Sequence, residues 1–401
     1  MSYARTEIKG IIFSNSYQAY NGFTLVCPQE GNGIWLIDMK GNLVNHWNIN
    51  NKPAGYVELL PNGNLLFAAK HPENPLYEIE GAGGILIEVD WDGNIIWNYK
   101  DPCLHDSFYR KNNGNTLIIK WVEIPKSIAN KVKGGVSGTE KDGVMWGDEI
   151  QEINQDGTVE WKWVAHEHLD PEVDISCPIC SRTEWAHANG CLELPDGDIL
   201  VSLWKNNEVI IFDKKTGNIT WRWGYGQLAH PYNPILLDNG NILLFDSGYH
   251  RPGIDLGNSR ILEIVPKSGD ILWSYEEDAS QLFYSSTISN CQRLPNGNNL
   301  ICEGSTGRIF EITKKGELVW EYINNLPSYS PSVYESKHCK VFSAMRYGIN
   351  YSGLKRKSQI IPKKQPAPGV DFGNNMKTTE NKKKEEVTEE SVLNRLRQLG
   401  Y

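Results

Sequence analysis

Short hydrophobic segments separated by glycine turns recur along the first 350 residues of the chain. One unit contains two apolar runs around a turn and ends in tryptophan; it occurs at residues 36–47, 86–97, 150–161, 210–221, 262–273 and 309–320. A second unit has a turn of the Asn-Gly or Asp-Gly kind and lies between these, at residues 59–67, 110–118, 193–201, 236–244 and 293–301. Both patterns predict β-hairpins, because glycine tolerates the positive φ that tight hairpin turns require.

Two hairpins per repeat predict a four-stranded antiparallel sheet, and repeats of ~40–50 residues with four strands are typical of β-propeller blades. Five complete blades begin near residues 54, 104, 186, 229 and 286. The sixth blade is predicted to be split, with one strand from residues 340–346 and three from the N-terminal 50 residues, which closes the ring and removes free edges. We therefore predict an all-β, six-bladed propeller over residues 1–353, with the repeated tryptophans packed between adjacent sheets.

Four insertions and a C-terminal tail interrupt this regular pattern. The insertions lie at about residues 71–83, 122–147, 164–186 and 247–258, at similar points of successive blades, so we expect them on one face. Residues 354–401 are highly charged and contain prolines, a composition that cannot form a core. We expect a largely disordered tail, in which the apolar residues from Val392 to Leu399 could form a short helix that docks a protein partner.

Composition narrows the classes of partner and the compartment. The formal net charge is -9 and the pI about 5.6, which argues against nucleic acid as a partner because duplex binding needs a basic surface. The eight cysteines of this long chain favour reduced thiols over a disulfide framework. The N-terminus does not read as a signal peptide, and no segment approaches the ~18 apolar residues of a membrane span. We expect a cytoplasmic protein that does not bind a membrane.

Three of the nine histidines occupy similar places near the start of a blade's innermost strand. His187 and His230 precede the turn glycine of their repeats by ten residues, and His105 precedes its own by nine. Imidazoles from neighbouring blades are expected to converge at the axis. Arg260 opens the third strand of the fourth blade and carries a planar guanidinium suited to an oxyanion. We predict that these four residues form a catalytic site, with ordinary packing and a strand-end salt bridge as the competing interpretation.

A polar segment between residues 164 and 190 contains potential metal ligands. Cys177 and Cys180 have C-x-x-C spacing and follow His166 and His168, so four ligands for zinc are available. A redox pair is a second interpretation, but no βαβ pattern surrounds it. Buried thiols in a loop that caps the channel are a third interpretation.

Several segments resemble the aryl-sulfate sulfotransferase family, whose members are propeller enzymes that move a sulfuryl group between phenols without a nucleotide donor. The resemblance extends over about residues 54–347, and its most specific parts are residues 163–170, 184–189, 230–246, 259–260 and 341–347. It implies a ping-pong reaction in which a histidine attacks the sulfur, forms a sulfohistidine and passes the group to an acceptor phenol. It also implies that His187, His230 and Arg260 line the channel, where histidine and arginine neutralise the sulfuryl oxygens and protonate the leaving phenolate.

The chain departs from the family at the nucleophile, which the family takes from a later blade. The position of the fifth blade that matches by counting is Thr287, so His338 or another channel histidine would have to serve. The N-terminus is a second departure, because characterised members are typically exported. The resemblance implies a small anionic or aromatic substrate and no required cofactor. Zinc stays possible because of the ligands between residues 164 and 190.

Other functions remain open. Three neutral imidazoles at the axis could hold a divalent metal for a lyase or hydrolase. The propeller could also be a non-catalytic binding platform, because one fold hosts many functions. A quinone-dependent dehydrogenase shares blades that end in tryptophan but usually needs more blades and a cofactor pocket, which the sequence does not indicate.

Overall fold

The computed structural model describes residues 9–29, 31, 33–253, 257–277, 282–326 and 340–357. These residues form strands almost throughout, with one short helix, α1 (Lys126–Ala129), and two 3-10 helices at Ala165–Glu167 and Ser352–Lys357. In chain order the strands are β1 (Gly10–Ser14), β2 (Gly22–Pro28), β3 (Gly33–Ile37), β4 (Leu43–Asn48), β5 (Pro53–Leu59), β6 (Leu65–Lys70), β7 (Gly84–Val89), β8 (Ile95–Lys100), β9 (Leu104–Arg110), β10 (Thr116–Glu123), β11 (Gly134–Val136), β12 (Trp146–Ile153), β13 (Val159–Val164), β14 (Ser176–Ser181), β15 (Ala188–Glu193), β16 (Ile199–Leu203), β17 (Glu208–Phe212), β18 (Ile219–Trp223), β19 (Pro231–Leu236), β20 (Ile242–Asp246), β21 (Arg260–Val265), β22 (Asp270–Tyr275), β23 (Ser289–Arg293), β24 (Asn299–Glu303), β25 (Arg308–Ile312), β26 (Leu318–Ile323) and β27 (Val341–Gly348).

Six antiparallel sheets form the blades of a propeller. From the inner to the outer strand, they are β5–β6–β7–β8, β9–β10–β12–β13, β15–β16–β17–β18, β19–β20–β21–β22, β23–β24–β25–β26 and β27–β2–β3–β4. We number these blades one to six. The inner strands contact one another in this order, and β27 contacts β5, so the ring is closed. The six-bladed, four-stranded architecture predicted from the sequence is confirmed.

The sixth blade joins the two ends of the propeller, as the repeat pattern predicts. β27 pairs with β2 from Gly348 opposite Gly22 to Ser343 opposite Cys27, and β3 and β4 complete the sheet. The structure adds one strand that the pattern did not reveal: β1 pairs with β26 and extends the outer edge of the fifth blade. Because β1 has no hairpin turn of its own, it carries no repeat signal.

The core consists of six apolar clusters, one at each interface between neighbouring blades. Side chains on a strand alternate between the two faces of its sheet. In β6, Leu65 and Phe67 accordingly pack against the sixth blade, whereas Leu66 and Ala68 pack against the second. The middle strands are therefore apolar on both faces, which explains the continuous hydrophobic runs in the sequence.

The repeated tryptophans connect the blades by hydrogen bonds as well as by packing. Five of the six indoles donate from Nε1 to a backbone carbonyl in a turn of the next blade, at 2.7–3.0 Å: Trp47 to Asp90, Trp97 to Gln155, Trp161 to Lys214, Trp273 to Lys314 and Trp320 to Met39. Trp221 makes no such bond within the described chain; Trp223 donates instead, to the carbonyl of Gly269 at 2.8 Å. Packing alone, as expected from the sequence, is thus only part of their role.

The four insertions form one connected layer. The Lys141 ammonium donates to the carbonyl of Pro75, which links the first two insertions. β11 pairs with β14 and links the second to the third, and Cys177 contacts His250 in the fourth. Within the described residues the structure contains no helix with the length and hydrophobicity of a membrane span. The described residues all belong to one compact unit. Of the tail predicted over residues 354–401, the structure describes only residues 354–357, which end a 3-10 helix, and the remainder lies outside the described residues.

Candidate functional site

The inner strands of all six blades line a narrow cavity of about 60 Å³ on the axis, which we call the channel cavity. Each blade contributes to its wall, through Tyr56, His105, His187, Tyr232, Asn290 and Ser343, among others. A larger space of about 340 Å³, the mouth cavity, shares His187 and Tyr232 with the channel cavity. Residues of three insertions, among them Glu80, Cys180 and Tyr249, complete its wall, so the insertions and the inner strands together form the site.

His187 faces both cavities and is held by a hydrogen bond with Glu184. It lies immediately before β15 with φ at 55°, a left-handed conformation that costs a residue with a side chain about 1–2 kcal/mol. Its Nδ1 lies 3.2 Å from Glu184 Oε1, and the Lys205 ammonium lies 2.8 Å from the same oxygen. Burial lowers the pKa of His187, and the hydrogen bond with Glu184 partly offsets this. Although burial acts to raise it, the contacts with His187 and Lys205 lower the pKa of Glu184 to about 2.

His105 is the neighbour of His187, with ring centroids 5.1 Å apart. Its Nδ1 lies 2.7 Å from Asp106 Oδ1, and its buried Nε2 has no hydrogen-bond partner among the described residues. Gly81 passes directly over the ring: its φ is 90°, and a Cβ there would lie 2.5 Å from the imidazole, so this approach requires glycine. The first insertion therefore covers the outer side of His105.

Two acids near the histidines, the buried Asp148 and the partly buried Glu80, have raised pKa values. Burial raises the pKa of Asp148 to about 7, even though His105 and the backbone N–H groups of His187 and Ala188 lower it. Neither carboxylate oxygen of Asp148 makes a hydrogen bond of good geometry. Burial also raises the pKa of Glu80, which lines both cavities. The site is thus less negative at neutral pH than its number of carboxyls implies.

The third predicted histidine, His230, is not part of this pair. Its ring packs on Trp204 with centroids 3.9 Å apart, and His187 contacts the same indole at 5.2 Å. The described chain shows no direct contact between His187 and His230. The expectation that three imidazoles converge at one point is therefore corrected: two meet in the channel, and a tryptophan that the sequence analysis did not single out contacts both His187 and His230.

Register shifts in some inner strands explain why residues at the same distance from the turn glycine do not lie at equivalent positions of their blades. In each blade we compare the inner-strand residue whose carbonyl accepts from the backbone N–H seven residues after the turn glycine. In the third blade this acceptor is His187, which pairs with Trp204, and in the fourth it is His230, which pairs with Ser247. A register shift in β9 makes Cys103 the acceptor in the second blade, so His105 lies two residues further along. In the fifth blade β23 and β24 pair without a bulge, which places Ile288 rather than Thr287 at the equivalent position. His338 lies outside the described residues.

Arg260 opens β21 as predicted but does not line either cavity. Its guanidinium lies 2.6 Å from the buried carboxylate of Asp246 and donates to the carbonyl of Gln227 at 2.8 Å. Arg251 also contacts Asp246. The structure therefore places Arg260 in a strand-end salt bridge rather than beside His105 and His187.

A compact group of two cysteines and two histidines lies at the mouth of the channel. It consists of Cys177, Cys180, His230 and His250, and we call it the Cys2His2 cluster. One ligand atom from each residue lies within 4.8 Å of all the others. The hydrogen bond from the Cys180 thiol and the nearby His230 imidazole lower the pKa of the Cys177 thiol.

The two other histidines proposed as zinc ligands are elsewhere. His168 stacks on Trp163, with ring centroids 5.2 Å apart, and approaches Gly217 of the third blade. His166 lies in the 3-10 helix that follows β13, where its Nδ1 approaches Gly147. The chain between this helix and β14 carries the cysteines away to the fourth blade, so the sequence identified two of the four clustered residues and missed His250 altogether.

The family model for arylsulfotransferases (ASST) matches residues 9–241, which is more than half of the chain. The chain belongs to the arylsulfotransferase family. This assignment supports aryl sulfotransferase-type activity at the level of the family. The matched segment contains His105, His187 and His230, whereas His250 and Arg260 lie beyond it.

No curated protein matches this arylsulfotransferase family member significantly. Among solved structures, a protein of unknown function from Bacteroides caccae aligns with a TM-score of 0.53 and 17% identity, over 81% of this chain and 98% of its own. Virginiamycin B lyase from Staphylococcus aureus aligns with a TM-score of 0.40 and 14% identity, over 70% and 73% of the two chains. The periplasmic gluconolactonase of Pseudomonas aeruginosa aligns with a TM-score of 0.45 and 11% identity, over 75% and 96%. At these identities the likeness concerns the fold alone.

Proposed function

We propose that the protein transfers a sulfuryl group from an aryl sulfate to a phenolic acceptor, with His187 as the reacting histidine. The observation that carries the proposal is the position of His187: it is oriented by Glu184, adjoins Lys205 and opens into both cavities. His105 is less suited to attack, because its Nε2 is fully covered. His230 and Arg260 have other partners.

The mouth cavity suits an aryl sulfate in size and lining. Its volume of about 340 Å³ lies within the range of small-molecule sites. Trp204, Tyr232 and Tyr249 provide aromatic surfaces for the aryl ring. The Lys205 ammonium lies at the same wall as His187. Its protons are directed to Ser181 and Glu184, so it acts on a sulfate through its positive charge rather than by a direct hydrogen bond.

The first half-reaction uses the lone pair of His187 Nε2. Because Nδ1–H donates to Glu184, Nε2 is left unprotonated in the neutral ring. Nε2 attacks the sulfur, the N–S bond forms as the bond from sulfur to the aryl oxygen breaks, and the leaving phenolate takes a proton from the Glu80 carboxyl. Burial favours this protonated form of Glu80.

The second half-reaction reverses these roles with a new phenol. The acceptor hydroxyl gives its proton to the Glu80 carboxylate while its oxygen attacks the sulfur of the sulfohistidine. The N–S bond breaks, and its electron pair returns to His187 Nε2. Lys205 stabilises the sulfuryl oxygens in both steps, and Glu184 acts as a positioning residue for the imidazole.

The proposal is tested by incubating the full chain with 4-nitrophenyl sulfate and a phenolic acceptor. We expect release of 4-nitrophenol, formation of the sulfated acceptor, and one sulfuryl group on the protein after rapid quenching without acceptor. His187→Ala should lower the rate by at least about a thousandfold, because the covalent route is lost. His46→Gln, on the outer strand β4, is the matched control and should retain the activity. An unchanged rate in His187→Ala, or no turnover by the unaltered protein, would overturn the proposal.

The metal-dependent lyase or hydrolase considered from the sequence is not favoured by the geometry. It requires three imidazoles around one ion, and His230 has no direct contact with the pair formed by His105 and His187. We therefore propose no metal chemistry at the axis.

A further inference from the structure

The geometry points to a Zn²⁺ site in the Cys2His2 cluster at the channel mouth. We propose that one ion binds to both cysteine sulfurs, to Nε2 of His230 and to Nδ1 of His250. All four ligand atoms lie within 4.8 Å of one another, and three of the four residues are buried. His187 is not among these ligands, so the argument for the ion does not rest on the proposed transfer reaction.

The distances between ligand atoms fit a tetrahedral zinc ion. Zn–S bonds of about 2.3 Å and Zn–N bonds of about 2.0–2.1 Å place sulfur and nitrogen ligands roughly 3.5–3.6 Å apart. His250 Nδ1 lies 3.4 Å from Cys177 Sγ and 3.5 Å from Cys180 Sγ. His230 Nε2 lies 3.8 Å from Cys180 Sγ. In these three pairs the ligand atoms already lie within a few tenths of an ångström of the spacing that zinc requires.

The donor set identifies the metal class. Two thiolates and two imidazoles in a tetrahedron suit zinc, whereas Mg²⁺ and Ca²⁺ prefer oxygen ligands. The C-x-x-C spacing of Cys177 and Cys180 is also the spacing of zinc sites. Since four protein ligands leave no open position, the ion has a structural role rather than a catalytic one.

The backbone is strained where it supplies the two histidines. His230 has φ at 57° and His250 at 60°, a left-handed conformation that is unfavourable for a residue with a side chain. The first is held by a hydrogen bond from its N–H to Asn207 Oδ1 at 2.8 Å. The positive φ of His230 is shared by the equivalent residues His187 and Ile288, so it belongs to the blade, whereas that of His250 lies in the loop that brings its imidazole to the cysteines.

The ion would cross-link three segments that are separate in the sequence. The cysteines lie in β14, His230 precedes β19, and His250 lies in the loop after β20. Zinc would thus attach the third insertion to the fourth blade. Cys180 and His250 also line the mouth cavity, so the ion would hold one of its walls in place.

The first test measures the metal content of the full chain, purified without chelator or metal-affinity resin. We expect about one zinc per chain. After removal of the metal, Co²⁺ should bind in its place and give the intense visible bands of a tetrahedral site together with a thiolate charge-transfer band. A protein that binds neither zinc nor cobalt, or that contains a Cys177–Cys180 disulfide after thiol labelling, would overturn the proposal.

Four variants identify the ligands. Cys177→Ser and His250→Ala should reduce the bound zinc from about one to below about 0.1 per chain. Cys103→Ser and His168→Gln are the matched controls and should keep it. The second control separates the cluster from the ligand set that the sequence suggested, because zinc lost in His168→Gln and kept in His250→Ala would contradict our assignment.

Two further measurements distinguish loss of the zinc site from loss of the fold and from loss of the proposed transfer activity. Circular dichroism monitors the fold of each variant, and if a ligand variant fails to fold, the cobalt spectrum of the unaltered protein still decides. His187→Ala should lose sulfuryl transfer but retain its zinc. Zinc loss in His187→Ala would contradict the separation of the two sites.

Discussion

Two opposing effects, burial and the contact with Glu184, set the ionisation state of His187. Burial disfavours the imidazolium and lowers its pKa, whereas the carboxylate of Glu184 favours the imidazolium and raises it. The net shift is downward, so the unprotonated form needed for attack is present at neutral pH. The proposed rate should decline only in solutions more acidic than the ordinary pKa of histidine, where the imidazole of His187 becomes protonated.

We predict that Glu184→Gln shifts the acid limb of the kcat/KM profile to lower pH. Removing the carboxylate removes the interaction that raises the pKa of His187, so the ring stays unprotonated in more acidic solution. The maximal rate should also fall, by at least about tenfold, because the imidazole loses the partner that orients it. The measurement is a pH series with 4-nitrophenyl sulfate.

Glu160→Gln serves as the control, because this exposed glutamate lies on the outer strand β13. Its profile should match that of the unaltered protein. An acid limb that stays in place or moves to higher pH in Glu184→Gln would show that Glu184 does not set the ionisation of His187.

Individual residues of the site were only partly predictable. His187 and the C-x-x-C pair stand out because their residue types are chemically distinctive. The sequence does not single out Glu80, Lys205 and His250, because the role of each depends on contacts with residues that are distant in the sequence. Lys205 bonds to the side chain and backbone of Glu184, and His250 meets cysteines more than 65 residues away.

At the scale of elements, adjacent blades are joined by a repeated bond from the closing tryptophan of one blade to a turn of the next. Trp320 of the fifth blade makes this bond to Met39 of the sixth blade, so it links the C-terminal part of the propeller to its N-terminal part. The indole is fully buried, and the guanidinium of Arg346 lies 4.5 Å from its ring centroid. Trp221 is the natural comparison, since it lacks the interblade bond.

We predict that Trp320→Phe lowers the free energy of unfolding by about 1–3 kcal/mol, since the Met39 carbonyl is left without its donor. Trp221→Phe should cost about 0.5 kcal/mol or less, because a half-exposed ring without an interblade bond contributes little. Urea unfolding followed by circular dichroism compares the two. Equal losses in both variants would contradict the prediction, because they would show that the hydrogen bond from Trp320 to Met39 adds nothing to stability.

Bulges limit what can be inferred about a strand from its repeat. The inner strands β9, β15 and β19 each contain a register shift, whereas β23 pairs regularly with β24. An extra residue moves every side chain beyond it to a new position on the strand. The sequence therefore located the hairpins and their turns correctly but misaligned His105 and Thr287 relative to the other blades.

At the scale of the whole molecule, the ring of six blades is closed by β27, the last described strand. β27 is the inner strand of the sixth blade, and it contacts β5 and β23 on either side. From it, Arg346 reaches the Thr24 hydroxyl at 2.7 Å and Glu311 at 3.3 Å, with all three residues buried. Loss of this strand would open the ring and expose two blade faces.

We predict contrasting effects for two C-terminal truncations. Deletion of residues 341–401 removes β27 and should abolish cooperative thermal unfolding, because the remaining blades have lost the strand that joins their ends. Deletion of residues 358–401 removes only the tail that the composition marks as unable to form a core, and should shift the Tm by no more than a few degrees. Thermal melts of both proteins make the comparison; similar losses would assign the tail a structural role.

The sequence by itself determined the architecture, including the split blade, because hairpin turns and alternating strands are local and repeat at a readable period. It also singled out the chemically distinctive side chains. Only the tertiary structure decided which of these meet, since contacts at the axis join residues from different blades and shift with every bulge. His187 accordingly pairs with His105 in the channel, whereas His230 joins two cysteines and His250 at the mouth.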